Sequence, residues 1–332
     1  MQPHSRCQRY SKARACRAVS TRRVRRTIVR DAFAPRYIAQ LEPRVEAVAA
    51  ELLHRLALRD TADLVADYAL PLPLISEILG VPERDRLRFR RWVTPLLALS
   101  TSSGPDLRLL LKLPGILAMT RFLRRLIAER RIHPRDDLVS QLAGANEDGD
   151  RLSEDELLAM VVILLIAGYE TTVNLIATGT LLLLHDPGQL ADLRAHPDKV
   201  GPAIEEILRL ATPIDVATER HTREDVEIAG VTIPKGALVL VGIASANVDA
   251  ARFSDPERLD LARTDNRHLS FGLGPHYCLG APLARLEGRV AISALLNRFP
   301  DVRVSVPLEQ LHLRPGMSLR GLTSLPVTLS SS

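Results

Sequence analysis

The chain has 332 residues, of which 46% are hydrophobic and 25% charged, and its formal net charge is +5 at pH 7. This apolar content suffices for one large domain or two ordinary ones. The three cysteines form an odd set without paired spacing, which indicates neither a disulfide framework nor a cysteine-only zinc site. A reducing compartment follows, and we expect the protein in the cytoplasm.

Residues 1–30 carry the basic excess, since they hold ten Arg or Lys and no Asp or Glu. Three interpretations stay open for this end: a tail that binds nucleic acid, an Arg-rich transit peptide, and a start read at the wrong position or in the wrong frame. The body of the chain has no matching basic motif, so we expect no nucleic-acid partner. No secretory signal is visible, and residues 1–20 are predicted to be a disordered or non-native N-terminus.

Residues 31–210 have the apolar spacing that is typical of helices. Within them, the Ser-Glu-Asp-Glu of residues 153–156 predicts a capping-box start for a long apolar helix, and the His-Asp-Pro-Gly of residues 185–188 predicts its end. Such a helix spans roughly 45 Å and has to cross the whole domain. It is also long enough to span a bilayer, but Glu170 and Asn174 in its middle favour a buried helix, so we predict no membrane span.

A second helix is predicted over residues 203–210, and a small β part follows it. Extended segments are predicted for residues 226–228 and 231–233, which flank an Ala229-Gly230 turn, and for residues 237–243, 302–306 and 325–329. No linker divides these parts. The fold class is therefore predicted as mostly α with a small β part, in a single domain over residues 21–332.

Cys278 lies in the stretch HLSFGLGPHYCLG, residues 268–280, directly before a predicted helix. Taken alone, such a cysteine has a simple interpretation as a small buried hydrophobic residue. Its surroundings favour another one, because Gly272, Gly274 and Gly280 permit tight turns and the close approach of a flat ligand. A helix N-terminus also favours the thiolate, which is the form of cysteine that binds a metal ion.

The spacing F-G-x-G-x-H-x-C-x-G over residues 271–280 resembles the haem-binding loop of the cytochrome P-450 monooxygenases. The resemblance implies that Cys278 is the proximal ligand of the iron in haem b (iron protoporphyrin IX). It extends from residue 22 to the C-terminus and is nearest to soluble bacterial members. The implied fold is P-450-like but lacks the usual N-terminal helices and first strands, so we expect either a truncated chain or a start that lies upstream.

The segment AGYETT, residues 167–172, resembles the oxygen-side segment of the same family. Small Ala167 and Gly168 let the face of a haem approach the backbone of the long helix. Glu170 and Thr171 offer a carboxylate and a hydroxyl for a proton relay through water, and the resemblance implies that both are catalytic. The alternative is a kink in a buried helix with a satisfied glutamate.

Glu206 and Arg209 match the Glu-x-x-Arg element of the family. One turn apart on a helix they form an ion pair, which says little by itself. The family pattern implies that Arg258 completes this network. We expect it to support the haem loop without taking part in a catalytic step.

Haem propionates need cations or hydrogen-bond donors, and the resemblance implies contacts from His268, His276, Arg220 and Arg25. Thr21 stands where the family has a histidine ahead of Arg25, and a solvated basic face is the alternative for residues 22–26. The implied cofactor-binding residues are together Arg25, Ala167, Gly168, Arg220, His268, Phe271, Gly272, Gly274, His276, Cys278 and Gly280.

The resemblance implies a haem-dependent monooxygenase of bacterial secondary metabolism that inserts one oxygen atom from O2 into a hydrophobic small molecule. The implied partner is a ferredoxin or similar electron carrier with its reductase, because no flavin or nicotinamide fingerprint is present. We expect the substrate pocket among residues 71–113, the start of the long helix and residues 213–217. Two alternatives stay open: a non-catalytic remnant with weak or no haem binding, and a protein that binds nucleic acid or a membrane surface through residues 1–30.

Overall fold

The structure of the chain is a computed structural model. It describes residues 33, 35–68, 70–100, 108–144, 146–147, 150–316 and 318–329. The basic segment of residues 1–30, and with it Arg25, lies outside them. The helices are α1 (Pro35–Gln40), α2 (Glu42–Leu56), α3 (Leu64–Asp67), α4 (Pro71–Ile78), α5 (Glu83–Ser100), α6 (Arg108–Ile132), α7 (Leu138–Gly144), α8 (Glu154–His185), α9 (Pro187–Ala195), α10 (Val200–Leu210), α11 (Ile243–Asn247) and α12 (Ala281–Arg298).

The strands are short and antiparallel, which agrees with the predicted mostly-α fold with a small β part. They are β1 (Thr61–Asp63), β2 (Asn146–Glu147), β3 (Asp150–Arg151), β4 (Arg220–His221), β5 (Val226–Ile228), β6 (Val231–Ile233), β7 (Leu238–Val239), β8 (Arg303–Val304) and β9 (Pro326–Thr328). One sheet has the order β1-β9-β8, and the others are the pairs β2-β3, β4-β7 and β5-β6.

The long helix α8 is confirmed with both of its predicted ends. The Ser153 hydroxyl accepts a hydrogen bond from the Glu156 amide at 3.3 Å, and the Glu156 carboxylate accepts one from the Ser153 amide at 3.1 Å. At the other end the Asp186 side chain caps the next helix. Among the described residues α8 is long and apolar enough to cross a bilayer, but it packs against α4, α6, α10 and α12, as a core helix does.

The β part agrees with the prediction at the β5-β6 hairpin and at the two C-terminal segments, and it differs from the prediction at β1 and β7. The two C-terminal segments pair as β8 and β9. Their sheet also contains β1, which lies in the region predicted to be helical, because β9 offers it a partner that no local pattern reveals. The strand predicted over residues 237–243 is limited to β7, because Gly242 forms the N-cap of α11 and Ile243 already begins that helix.

The ion-pair network around Glu206 differs from the prediction in its third member. Arg209 donates to both Glu206 carboxylate oxygens at 2.8 Å, and Arg263 lies 3.2 Å from the same oxygens. Arg258 contributes only its backbone carbonyl to Arg209, and its side chain is 64% exposed beside Asp260. The predicted role of Arg258 is therefore wrong, because the turn that begins at Asp255 directs its side chain outward.

Hydrogen bonds connect this network to the loop that carries Cys278. Arg209 donates to the carbonyl of Asn247 at 2.9 Å, and the Asn247 side chain accepts the amide of Leu269 at 2.7 Å. The same side chain donates to the Ser270 hydroxyl at 2.9 Å. The start of the loop is thus bonded to the buried ion pair, as expected of structural support.

We predict that Arg263→Gln lowers the free energy of unfolding by about 2 kcal/mol, because it leaves a buried carboxylate with one charged hydrogen-bond donor fewer. Arg258→Gln is the matched control and should change stability by less than about 0.5 kcal/mol, since its side chain is exposed. Urea unfolding of both variants measures the difference. Equal losses in the two variants would restore Arg258 to the network.

Candidate active site

A cavity of about 670 Å³ separates α8 from the segment around Cys278. On the α8 side it is lined by Ala167, Gly168, Thr171, Thr172 and Leu175. On the other side it is lined by Phe271, Gly272, His276, Cys278 and Gly280, followed by the first turns of α12. The two segments that the sequence analysis singled out therefore face each other across one space.

Residues 268–280, here called the cysteine loop, turn twice before α12 begins. Gly272 and Gly274 both have φ of +71°, a conformation that residues with a side chain rarely adopt. The turns let the Cys278 amide donate to the Phe271 carbonyl at 2.8 Å. Cys278 thereby reaches the cavity just ahead of the N-terminus of α12, whose positive end favours a thiolate.

The donor set at this cavity fits a haem. Nowhere in the described part of the chain do three His, Cys, Asp or Glu side chains cluster so that they could hold a metal ion. Cys278 offers one sulfur, so an iron ion bound to it would need its other ligands from a macrocycle such as haem. The opposite wall suits a flat ligand, because Ala167 and Gly168 are small, and a Cβ at Gly168 would lie 3.1 Å from Ile75.

The structure brings Thr171, but not Glu170, to the cavity. The Thr171 hydroxyl donates to the Ala167 carbonyl at 2.6 Å, which leaves its oxygen able to accept a further bond. Glu170 is 4% exposed and does not line the cavity. Successive residues of a helix point about 100° apart, which explains how neighbours in sequence reach different sides of α8.

Arg314 is a contact of Glu170 that the sequence analysis missed. Its guanidinium lies 3.6 Å from the Glu170 carboxylate and also donates to the Leu322 carbonyl at 3.1 Å. Arg314 belongs to a C-terminal turn that Leu313 and Leu322 close. No motif marks this arginine, so only the packing of the C-terminus against α8 identifies it.

The predicted propionate contacts divide into three groups. His276 and Arg220 line the cavity, as a propionate contact requires. Arg25 lies outside the described residues. The His268 side chain is 4% exposed and does not line the cavity: one ring nitrogen lies 3.2 Å from Glu205, and the other accepts the Ser270 amide. A propionate contact of His268 is therefore wrong, because both of its nitrogens are already bonded within the protein.

Glu287 is an acid at the cavity that the sequence analysis missed. It lies on α12, where Leu283 and Ala284 line the same cavity one turn earlier, so helical spacing would have identified it. Its side chain is buried, and one carboxyl oxygen has no hydrogen-bond partner among the described residues. Burial raises the pKa of Glu287 to about 8. Glu287 is thus a neutral acid at neutral pH.

We predict that Glu287→Gln stabilises the protein at about pH 8 and that this gain disappears near pH 4. Between the pKa of the unfolded chain and that of the folded state, only the unfolded chain loses the proton. Wild-type stability therefore falls by about 1.4 kcal/mol per pH unit as the pH rises through this range, which glutamine avoids.

Urea unfolding as a function of pH measures this difference. Glu46→Gln on the exposed face of α2 is the control and should leave the pH dependence of the wild type unchanged. If the curves of Glu287→Gln and the wild type stay parallel over the whole range, the Glu287 carboxyl is not neutral in the folded state.

Comparison with known proteins supports the haem site that the geometry of the cavity indicates. The family model described as "Cytochrome P-450" matches residues 200–315. Cytochrome P-450 107B1 of Saccharopolyspora erythraea is 46% identical over 307 residues, which cover 92% of this chain and 74% of the relative. The polyketide biosynthesis cytochrome P-450 PksS of Bacillus subtilis is 42% identical, with 92% and 75% covered. The solved structure of PksS superposes with a TM-score of 0.86 at 40% identity, covering 92% of this chain and 78% of that one.

The chain belongs to the cytochrome P-450 family. It is a P-450 monooxygenase, an oxidoreductase whose cofactor is haem b. The predicted family, fold class, enzyme class and cofactor are thereby confirmed.

Proposed function

We propose that the protein inserts one oxygen atom from O2 into a hydrophobic small molecule of bacterial secondary metabolism. The observation that supports this most is that Cys278 and Thr171 face each other across one cavity. When bound there, haem supplies the activation of O2. The residues of the chain hold the cofactor, exclude water and move protons.

Four side chains at the cavity have a stated role in this proposal. Cys278 is the thiolate that ligates the iron, and the adjoining glycines let the loop backbone lie close to the haem plane. His276 and Arg220 bind propionate carboxylates from the rim, together with Arg25. Thr171 is the hydroxyl at the oxygen side, where it accepts and donates protons.

Glu170 serves as the acid behind Thr171 in this proposal. Its carboxylate lies outside the cavity beside Arg314, so a proton reaches Thr171 only through water or after the Glu170 side chain turns. The arrangement keeps a charge out of the space where the substrate binds. We therefore infer that the acid of the relay lies outside the space where the substrate binds and that Thr171 connects the two.

The substrate class follows from the apolar part of the cavity wall. Pro71, Ile75 and Leu164 lie on α4 and α8, and Pro213 and Ile214 follow α10. This agrees with part of the expected pocket, although among the side chains that the structure describes none from α5 or α6 lines the cavity. The name of PksS places that relative in polyketide biosynthesis, which supports a polyketide-like substrate for this chain as well.

Electrons come, in this proposal, from a ferredoxin-type carrier with its reductase, and the enzyme works in the bacterial cytoplasm. The family resemblance supports a separate carrier, because the sequence has no flavin or nicotinamide fingerprint. Reduction of the purified enzyme by a bacterial ferredoxin and ferredoxin reductase tests this. A failure with ferredoxin and success with a flavodoxin would replace the carrier and keep the rest of the proposal.

We predict that Cys278→Ala abolishes the thiolate-type Soret band of the reduced carbon monoxide complex, because alanine offers no ligand to iron. Absorption spectra of the reduced proteins with and without carbon monoxide measure this. Retention of the band by the variant would assign the iron to another residue. A wild-type protein without the band would favour the non-catalytic remnant.

We also predict that Thr171→Ala keeps haem binding but diverts more than half of the reducing equivalents to hydrogen peroxide or water, because the hydroxyl at the oxygen side is lost. Thr180→Ala is a matched control: Thr180 lies on the same helix and donates to the Ile176 carbonyl at 2.7 Å, but it does not line the cavity. Product formed per NAD(P)H consumed measures the coupling. Equal coupling in both variants would remove Thr171 from proton delivery.

A further inference from the structure

Arg285 of α12 contacts the side of the cysteine loop that faces α10 and α12. Its guanidinium donates to the two carboxylate oxygens of Glu205 at 2.7 and 2.8 Å and to the Tyr277 hydroxyl at 3.1 Å. The guanidinium carbon also lies 4.5 Å from the centre of the Phe271 ring. One side chain therefore joins α10, α12 and two residues of the loop that carries Cys278.

The two loop residues that Arg285 contacts set the backbone around Cys278. The Phe271 carbonyl accepts the Cys278 amide at 2.8 Å, and Tyr277 directly precedes Cys278. The rings of Phe271 and Tyr277 lie 6.2 Å apart, within the range of aromatic contacts. A shift of either ring therefore disturbs a backbone hydrogen bond of Cys278.

The Glu205–Arg285 pair remains ionised and is also bonded to His268. Burial raises the pKa of Glu205, but hydrogen bonds from Arg285 and His268 outweigh burial and bring it to about 2. The hydrogen bond to Glu205 in turn raises the pKa of Arg285. Because Glu205 also lies 3.2 Å from His268, the pair connects to both ends of the loop.

We propose that Arg285 is a positioning residue of the haem site: it holds Phe271 and Tyr277 in place and so determines how firmly Cys278 ligates the iron and how readily the iron is reduced. This rests on the proposed role of Cys278 as the ligand. The residue type fits, because only a planar guanidinium forms a bidentate pair with a carboxylate and stacks on an aromatic ring at the same time. Arg285 also balances the negative charge of Glu205, which would otherwise disfavour the reduced iron.

Variants of the haem-loaded enzyme test the proposal. Arg285→Gln removes the charge and the planar fork, and Arg285→Lys keeps the charge alone. Arg289→Gln is the matched control, since Arg289 lies one turn further along α12 and pairs with Glu42 at 2.6 Å. The measured quantities are the midpoint reduction potential and the urea concentration at which half of the thiolate-type Soret band is lost.

We expect a more negative potential and an earlier loss of the band in Arg285→Gln. Arg285→Lys should restore most of the potential but not the resistance of the band to urea, and Arg289→Gln should behave as the wild type. Equal values of both quantities in Arg285→Gln and Arg289→Gln would overturn the proposal. If Arg285→Gln does not load haem, the test rests on Arg285→Lys. A thiolate-type Soret band of Arg285→Lys that resists urea as well as the wild-type band does would then overturn the proposal.

Hydrogen exchange of the full chain as purified separates this proposal from the assignment of Cys278, because its readout does not depend on iron. We expect the Cys278 amide to exchange faster in both Arg285 variants than in Arg289→Gln. Unchanged exchange in both would overturn the positioning role. Faster exchange together with a wild-type protein that lacks the thiolate-type band would support the positioning of the loop and overturn Cys278 as the ligand.

Discussion

The hydrogen-bonded ion pairing of the buried Glu206 carboxylate is the interaction on which the rest of the structure depends. A buried charge costs several kcal/mol unless it is paired and hydrogen-bonded, so the chain has to bring donors to it. Arg209, Arg263 and Asn266 supply these donors, and the segment between α11 and the cysteine loop is folded around them. Glu205, the preceding residue, holds the loop itself. Two consecutive acids of α10 thus fix the approach to the loop and its position.

The structure also keeps charged groups away from the cavity. Glu170 lies beside Arg314 outside the cavity, and burial raises the pKa of Glu287 to about 8, so neither acid presents a charge to the cavity at neutral pH. In the proposed function, an apolar substrate meets an apolar wall, and protonation remains possible at the edge of that wall. The hydroxyl of Thr171 connects the two environments, since it is polar without being charged.

Local sequence patterns correctly predicted the features that depend only on residues close to one another in the chain. The capping box at Ser153, the hairpin around Gly230 and the Cys278 motif are of this kind. The errors concern contacts between distant segments. Arg258 and Arg263 have similar sequence surroundings, and only the turn after Asp255 decides which side chain is buried. The family resemblance implies a propionate contact for His268, and nothing local reveals its bond to Glu205. Glu287 and Arg314 belong to no short motif.

The pairing of β1 with β9 has a consequence for how the chain reaches this structure. Thr61 lies opposite Thr328, Leu64 donates to the Leu325 carbonyl at 3.0 Å, and Leu329 donates to the Asp60 carbonyl at 2.8 Å. These contacts have a very large sequence separation, which slows folding because a long loop has to close. During synthesis, β1 leaves the ribosome long before its partner exists. The sheet therefore forms only after residues 326–328 have been translated, so the edge of β1 stays exposed until then and has to avoid pairing with a wrong strand.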